Sequence, residues 1–332
     1  MKYFKSFSES LLTMKDDDFE EMALRLFKLQ ADANPIYKAY LRARRTEANK
    51  VKDLTDIPFL PLSFFKNNPV FCGKITEDSP FFSSSGTTGQ ITSKHYYWSE
   101  PFYQEHAKRI FERFYGPLEG YHLLALLPSY LERRGSSLVC MADFFIGETK
   151  SAYSGFYLYN HRDLLDTIQV AIEDSDRKIL LLGVTFALLD LAEVAIALPD
   201  ASRLLVMETG GMKGRRREMI REEVHGKIKT AFGLEAVHSE YGMTEMMSQA
   251  YSKGEGKYEL PPCVRVLIRD PHDPYCYQDN KTGGINVIDL GNFHSCAFLE
   301  TQDLGRWDER GKLEILGRFD HSDLRGCNLM VN

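Results

Sequence analysis

The chain has 332 residues, 43% of them hydrophobic and 27% charged, which suits a globular protein with a substantial core in one large domain or two moderate ones. A formal net charge of −6 without a concentrated Lys/Arg stretch argues against a nucleic-acid partner. The six cysteines include no CxxC pair, the N-terminus lacks the apolar run of a secretion signal, and no stretch is apolar enough to span a bilayer, so a reduced, cytoplasmic chain is expected.

The first helix is predicted after Asp16-Asp17-Asp18, whose acids suit a helix N-terminus. Its apolar stripe is Phe19, Met22, Leu24, Leu26, Phe27 and Leu29. A second helix over about 35–49 completes an N-terminal helical cover, residues 1–50. Ile57-Pro58-Phe59-Leu60-Pro61 reads as an extended connector, because two prolines remove ladder donors. A helix opens at Ser99-Glu100-Pro101 and runs to about Tyr115.

Strands and helices then alternate. Strands are predicted at Leu123–Leu127, Phe156–Tyr159, Lys178–Leu182 and Arg203–Met207. Helices are predicted over about 136–146, 163–172, 185–197 and 216–230. That order predicts a mostly parallel α/β core over 51–253. Leu181–Leu189 could line an acyl pocket or simply be core. Arg215-Arg216-Arg217 reads as the solvated face of a helix start rather than a polyanion site. After Gly254 the pattern changes to short strands at 264–268, 285–289, 297–301 and 313–316, a small antiparallel β subdomain within 254–332.

Between the connector and the first core helix lies Ser83-Ser84-Ser85-Gly86-Thr87-Thr88-Gly89, with Lys94 close behind. Glycines let backbone N–H groups turn toward an anion, hydroxyls add donors, and the lysine adds charge. The Walker A pattern is absent. Composition alone leaves a phosphate cradle and a flexible Ser/Gly linker both open.

The Ser-Ser-Gly-Thr-Thr-Gly run resembles the phosphate loop of the adenylate-forming superfamily, which includes acyl-CoA synthetases and luciferase-type enzymes. Further segments match in order: Gly210-Gly211-Met212-Lys213, Glu240-Tyr241-Gly242-Met243-Thr244-Glu245, Asp303-Leu304-Gly305-Arg306 and Gly317-Arg318-Phe319-Asp320. With Ile57–Lys66, Ser93-Lys94 and Arg325-Gly326-Cys327, the chain is similar to LuxE-type acyl-protein synthetases, the ATP-dependent component of bacterial fatty-acid reductase complexes. The fold this implies is α/β, an adenylate-forming N-terminal domain with mixed, mostly parallel sheets flanked by helices and a small antiparallel β subdomain. By the resemblance, a counterpart of the superfamily's C-terminal lid, with its lysine, is not expected in these 332 residues, and Gln302 stands where the superfamily usually has glycine.

The resemblance implies ATP and Mg²⁺ as cofactors. Ser84, Ser85, Gly86, Thr87, Thr88, Gly89 and Lys94 would hold the β- and γ-phosphates. Gly210 and Gly211 would line the adenine site, and Tyr241, in the Glu240-Tyr241-Gly242-Met243 segment, would pack on the purine. Thr244 would touch the α-phosphate, Glu245 would bind Mg²⁺, and Asp303 would accept the ribose hydroxyls with Arg318 nearby. The implied reaction activates a carboxylic acid, fatty by family though an aryl acid suits an aromatic-rich pocket equally. Acyl transfer to Cys327 would follow, with an acyl reductase, acyltransferase or acyl-carrier protein as partner. A ligase delivering to coenzyme A or a carrier phosphopantetheine, and a non-catalytic nucleotide- or acyl-binding protein, are the competing readings. His238 could reach the site or be structural, and His272, His294 and Cys296 form no metal spacing.

Overall fold

The computed structural model describes residues 2–84, 92–128, 135–195, 198, 200–210, 219–273, 275–278 and 281–318. They fall into two units: one comprises 1–99, 245–248 and 259–332, the other 100–244 and 249–258.

The first unit opens with a helix the sequence reading passed over, α1 (Lys2–Thr13). Phe4, Phe7 and Leu11 repeat at helical spacing and are buried, Phe7 lying 5.3 Å from Phe293 between ring centroids. The predicted helix after the three aspartates is α2 (Phe19–Ala33). Asp18 does not cap it; its carboxylate instead accepts from the Lys15 N–H at 2.9 Å, closing a 3-10 turn. In α3 (Pro35–Ala43), Asn34 caps the N-terminus and Pro35 occupies the first turn. The helix stops short of the predicted end because Arg45 turns left-handed, at φ 56°. The proline-rich connector places only β1 (Leu60–Pro61) in a ladder, before α4 (Phe64–Asn67). β2 (Phe81–Ser83) and β3 (Lys94–Tyr96) form an antiparallel pair.

The second unit begins with α5 (Glu100–Tyr115) and β4 (Tyr121–Leu126). Next come α6 (Ser137–Thr149), β5 (Gly155–Tyr157), α7 (His161–Asp174), β6 (Lys178–Val184), α8 (Thr185–Glu193) and β7 (Leu204–Thr209). α9 (Arg221–Phe232) precedes β8 (His238–Tyr241), β9 (Ala250–Ser252) and β10 (Lys257–Glu259). Strands β5, β4, β6, β7 and β8 are parallel neighbours in that order, and β9 runs antiparallel to β8. Every residue of β4 is buried, as expected where helices cover both faces of a parallel sheet. Leu181–Leu189 is buried throughout, and a Cβ on Gly183 would meet Leu188 Cδ2 at 2.6 Å, so the strand-to-helix turn packs tightly on itself.

The chain returns to the first unit in an antiparallel series: β11 (Val264–Arg269), β12 (Gly283–Asp289), β13 (Phe298–Trp307) and β14 (Leu313–Arg318). β1 lies parallel to β13. The short antiparallel strands predicted after Gly254 are present, but β13 is longer than expected and carries the Asp303-Leu304-Gly305-Arg306 segment within it. A bulge falls between Leu304 and Gly305, where a Cβ on Gly305 would meet the Glu314 carbonyl at 2.7 Å.

Candidate active site

In the first unit the β2–β3 pair forms the neck of the serine/glycine loop. Ser84 N–H donates to the Ser93 carbonyl at 3.1 Å, and Ser93 N–H donates to Ser84 Oγ at 2.8 Å, so Ser84 fastens the neck. Phe82 and Tyr97 stack beside it at 4.3 Å. Ser85, Gly86, Thr87, Thr88 and Gly89 lie outside the described residues, as do Gly211 and Cys327. Burial alternates at the start of β3: Ser93 and His95 are buried and Lys94 is exposed, its ammonium 4.9 Å from the Phe81 ring centroid.

Glu245 is buried in the first unit and accepts a hydrogen bond from the Ser93 side chain. Burial pushes its carboxyl above the usual range, while the Ser93 bond and the charges of Arg318 and Lys66 pull it back. Asp303 and Arg318 face each other across β13 and β14, with Arg318 Nε 3.5 Å from Asp303 Oδ1. The structure therefore gathers Glu245, Arg318 and Asp303, all expected from the sequence, and adds Ser93 and Lys66. Both additions sat in segments already singled out; the buried–exposed alternation around Lys94 is the signal that points to Ser93. Gln302 is exposed beside Asp303.

In the second unit β7 ends at Thr209 and Gly210, the latter at φ 70°, a left-handed turn that favours glycine. The Thr209 hydroxyl donates to Glu240 on β8. Burial pushes the Glu240 carboxyl up to about 7 against that hydrogen bond. A Cβ on Gly242 would meet Glu240 Oε1 at 2.4 Å, so any other residue there would push the end of the Glu240 side chain aside. Tyr241 is half-buried, edge-on to Tyr258 at 6.0 Å, and Met243 and Thr244 follow half-buried. His238 pairs through Nδ1 with the Tyr115 hydroxyl of α5 at 3.2 Å, and burial lowers it to about 4, which favours the neutral imidazole.

No family model matches the sequence. No curated protein matches it either. Solved structures do. A 2-hydroxyisobutyryl-CoA ligase in complex with 2-HIB-AMP and CoA superposes on 92% of this chain and 70% of its own, at a TM-score of 0.66 and 15% identity. ATP-bound MatB from Rhodopseudomonas palustris superposes on 74% of this chain and 49% of its own, at a TM-score of 0.52 and 19% identity. The fold is that of adenylate-forming enzymes. The chain spans about half the length of the MatB proteins it matches.

The donors around Glu245 suit a magnesium–phosphate group. Mg²⁺ takes one or two carboxylates together with substrate phosphates rather than an all-protein cage. Among the described residues no cluster of three His, Cys, Asp or Glu could hold a metal alone. Glu245 offers one hard oxygen ligand, in the electrostatic field of Arg318 and Lys66. Among the described residues no helix is long and apolar enough to cross a membrane.

Proposed function

We propose that this chain is an ATP-dependent acid–thiol ligase that activates a carboxylic acid of the fatty-acid class as its acyl-adenylate. In the first step a substrate carboxylate oxygen attacks the α-phosphorus of ATP, a new P–O bond forms, and the bond to pyrophosphate breaks with the electron pair leaving on pyrophosphate. The step needs positioning and charge neutralisation more than covalent help. Glu245 would hold Mg²⁺, with Ser93 fixing its carboxylate, and Lys66 and Arg318 would face phosphate oxygens. When bound, Mg²⁺ neutralises charge on the phosphates. Asp303 would accept from the ribose hydroxyls.

In the second step a thiolate attacks the acyl carbonyl and AMP leaves. We assign the thiol to Cys327, following the acyl-protein synthetase resemblance, with an acyl reductase, acyltransferase or acyl carrier taking the product. A thiolate is a strong nucleophile toward an activated acyl group, and a neighbouring arginine such as Arg325 lowers a thiol pKa. The ligase that covers 92% of this chain was solved with CoA, which favours delivery to coenzyme A as the second reading.

The observation that carries the proposal is the buried Glu245, hydrogen-bonded by Ser93 and in the electrostatic field of Arg318 and Lys66, in a fold of the adenylate-forming type. The test is pyrophosphate exchange into ATP across a panel of fatty and aryl acids. Carboxylate-dependent exchange is expected, and its absence with every acid sinks the proposal in favour of a non-catalytic binding protein. Labelling with radioactive fatty acid then separates the acceptors. Cys327→Ser should lose acyl label from the protein; retained label, or release of acyl-CoA when CoA is added, moves the assignment to the second reading.

A further inference from the structure

Glu245 is the first of four residues, 245–248, that belong to the first unit while the chain on both sides belongs to the second. Its grip on that unit comes from the turn after β12. Asp289, fully buried, accepts from Met247 N–H at 2.8 Å, Ser248 N–H at 3.1 Å, Ser248 Oγ at 2.6 Å and Gly291 N–H at 2.9 Å. Asn292, from the same turn, donates through Nδ2 to the Glu245 carbonyl at 2.8 Å. Gln30 of α2 holds the turn in place, donating to the Asn292 carbonyl at 2.8 Å and accepting from Ala297 N–H at 2.9 Å.

Two features argue that this clamp is kept for more than stability. Asp289 is a carboxylate satisfied by uncharged donors in the interior, where well-packed apolar residues are often as stable. Asn292 Oδ1 is buried without a hydrogen-bond partner among the described residues, so the side chain tolerates an unmet acceptor while its amide holds Glu245.

Resting on the reading of Glu245 as the metal-holding carboxylate, we propose that Asp289 and Asn292 are positioning residues that set the metal affinity of Glu245. Asp289 fixes the backbone just after Glu245 and Asn292 fixes its own carbonyl. The carboxylate is then presented to the metal without reorganisation, as partners behind a ligand do in metal sites generally.

The test measures binding rather than turnover: free Mn²⁺ is counted by electron paramagnetic resonance in titrations of the protein with a non-hydrolysable ATP. Asp289→Asn and Asn292→Ala should each weaken nucleotide-dependent Mn²⁺ binding by about ten-fold or more, with metal-free nucleotide affinity held within about two-fold by the same principle of action through the ligand. Val287→Ala, a neighbouring core truncation in β12, should lower the melting temperature and leave Mn²⁺ binding in place. Asn292→Ala leaves the Asp289 bonds intact and carries the test should Asp289→Asn not fold. Wild-type Mn²⁺ affinity in folded Asn292→Ala, or equal weakening in Val287→Ala, overturns the inference while leaving the reading of Glu245 standing. If the wild type shows no nucleotide-dependent Mn²⁺ binding, that reading of Glu245 is itself refuted and the inference goes with it.

Discussion

Glu240 and Glu245 open and close the same short motif, and both are buried, yet their surroundings differ. Glu240, in the second unit, lies under Gly242 and takes a hydrogen bond from the Thr209 hydroxyl. Glu245, in the first, is bonded by Ser93 and sits in the field of Arg318 and Lys66. One carboxyl braces the turn that presents Tyr241. The other lies in the field of two cations, which are proposed to face phosphates. A buried acid is thus no signal by itself; the charge and accessibility of its neighbours separate a brace from a ligand.

The largest effect should follow from removing Glu245, the carboxylate proposed to hold Mg²⁺. Glu245→Ala is expected to cut pyrophosphate exchange by roughly 10²–10³-fold, the range for deleting one preorganised electrostatic group. Mg²⁺ titrations of the residual exchange should no longer reach saturation. Unchanged exchange would mean that the two acids do not differ as described.

Glu240 should instead appear in the pH dependence of stability. Its carboxyl is raised from 4.5 to about 7 by burial. At low pH the group is protonated in both folded and unfolded chains. As pH rises the unfolded chain ionises first, so the stabilising contribution falls away until the folded group ionises near pH 7. The loss is roughly 3 kcal/mol, from about 1.4 kcal/mol per pKa unit. Glu240→Gln cannot ionise, so urea unfolding between pH 4.5 and 8 should show a flatter profile than the wild type. Superimposable profiles would show Glu240 to be ionised in the folded protein.

Gly242→Ala sharpens the same point from the other side. The added Cβ would meet Glu240 Oε1 at 2.4 Å, so either the turn or the carboxyl must shift. Overpacking of this kind costs about 1–3 kcal/mol. Combining it with Glu240→Ala, which removes the clashing oxygen, should recover part of the loss; strictly additive losses would place the strain elsewhere.

Much of the fold was legible because buried parallel strands write themselves as apolar runs: Leu123–Leu127 and Lys178–Leu182 emerge as β4 and β6 with small shifts at their ends. α1 was not, because its stripe of Phe4, Phe7 and Leu11 is short and gains its meaning from Phe293, far along the chain. β8, β9 and β10 are too short to show a period. The site divides in the same way. Glu245, Asp303 and Arg318 lie in motifs readable from residue order, whereas the Ser93 bond to Glu245 and the Gln30–Asn292–Glu245 chain join residues remote in sequence. Ser84 was read as a phosphate donor, and its hydroxyl also closes the neck with Ser93, a contact that exists only once β2 and β3 have paired.

The smallest stability effect belongs to Arg318, and its smallness is the point. Its ion pair with Asp303 is long, at 3.5 Å, and the Arg318 side chain is 74% exposed whereas that of Asp303 is 14% exposed. Exposed pairs contribute about 0–1 kcal/mol, because water screens the charge and the long side chain loses freedom. Arg318→Ala should therefore leave urea unfolding within about 0.5 kcal/mol of wild type. The same substitution removes a cation proposed to face a phosphate, so the ATP concentration needed for half-maximal exchange should rise by roughly ten-fold, the equivalent of one charge-assisted hydrogen bond of about 1.5 kcal/mol. An arginine held for the fold would reverse that pattern, with stability falling and ATP dependence unmoved. An arginine held for phosphate keeps it, because an exposed cation beside a buried carboxylate contributes little until an anion arrives.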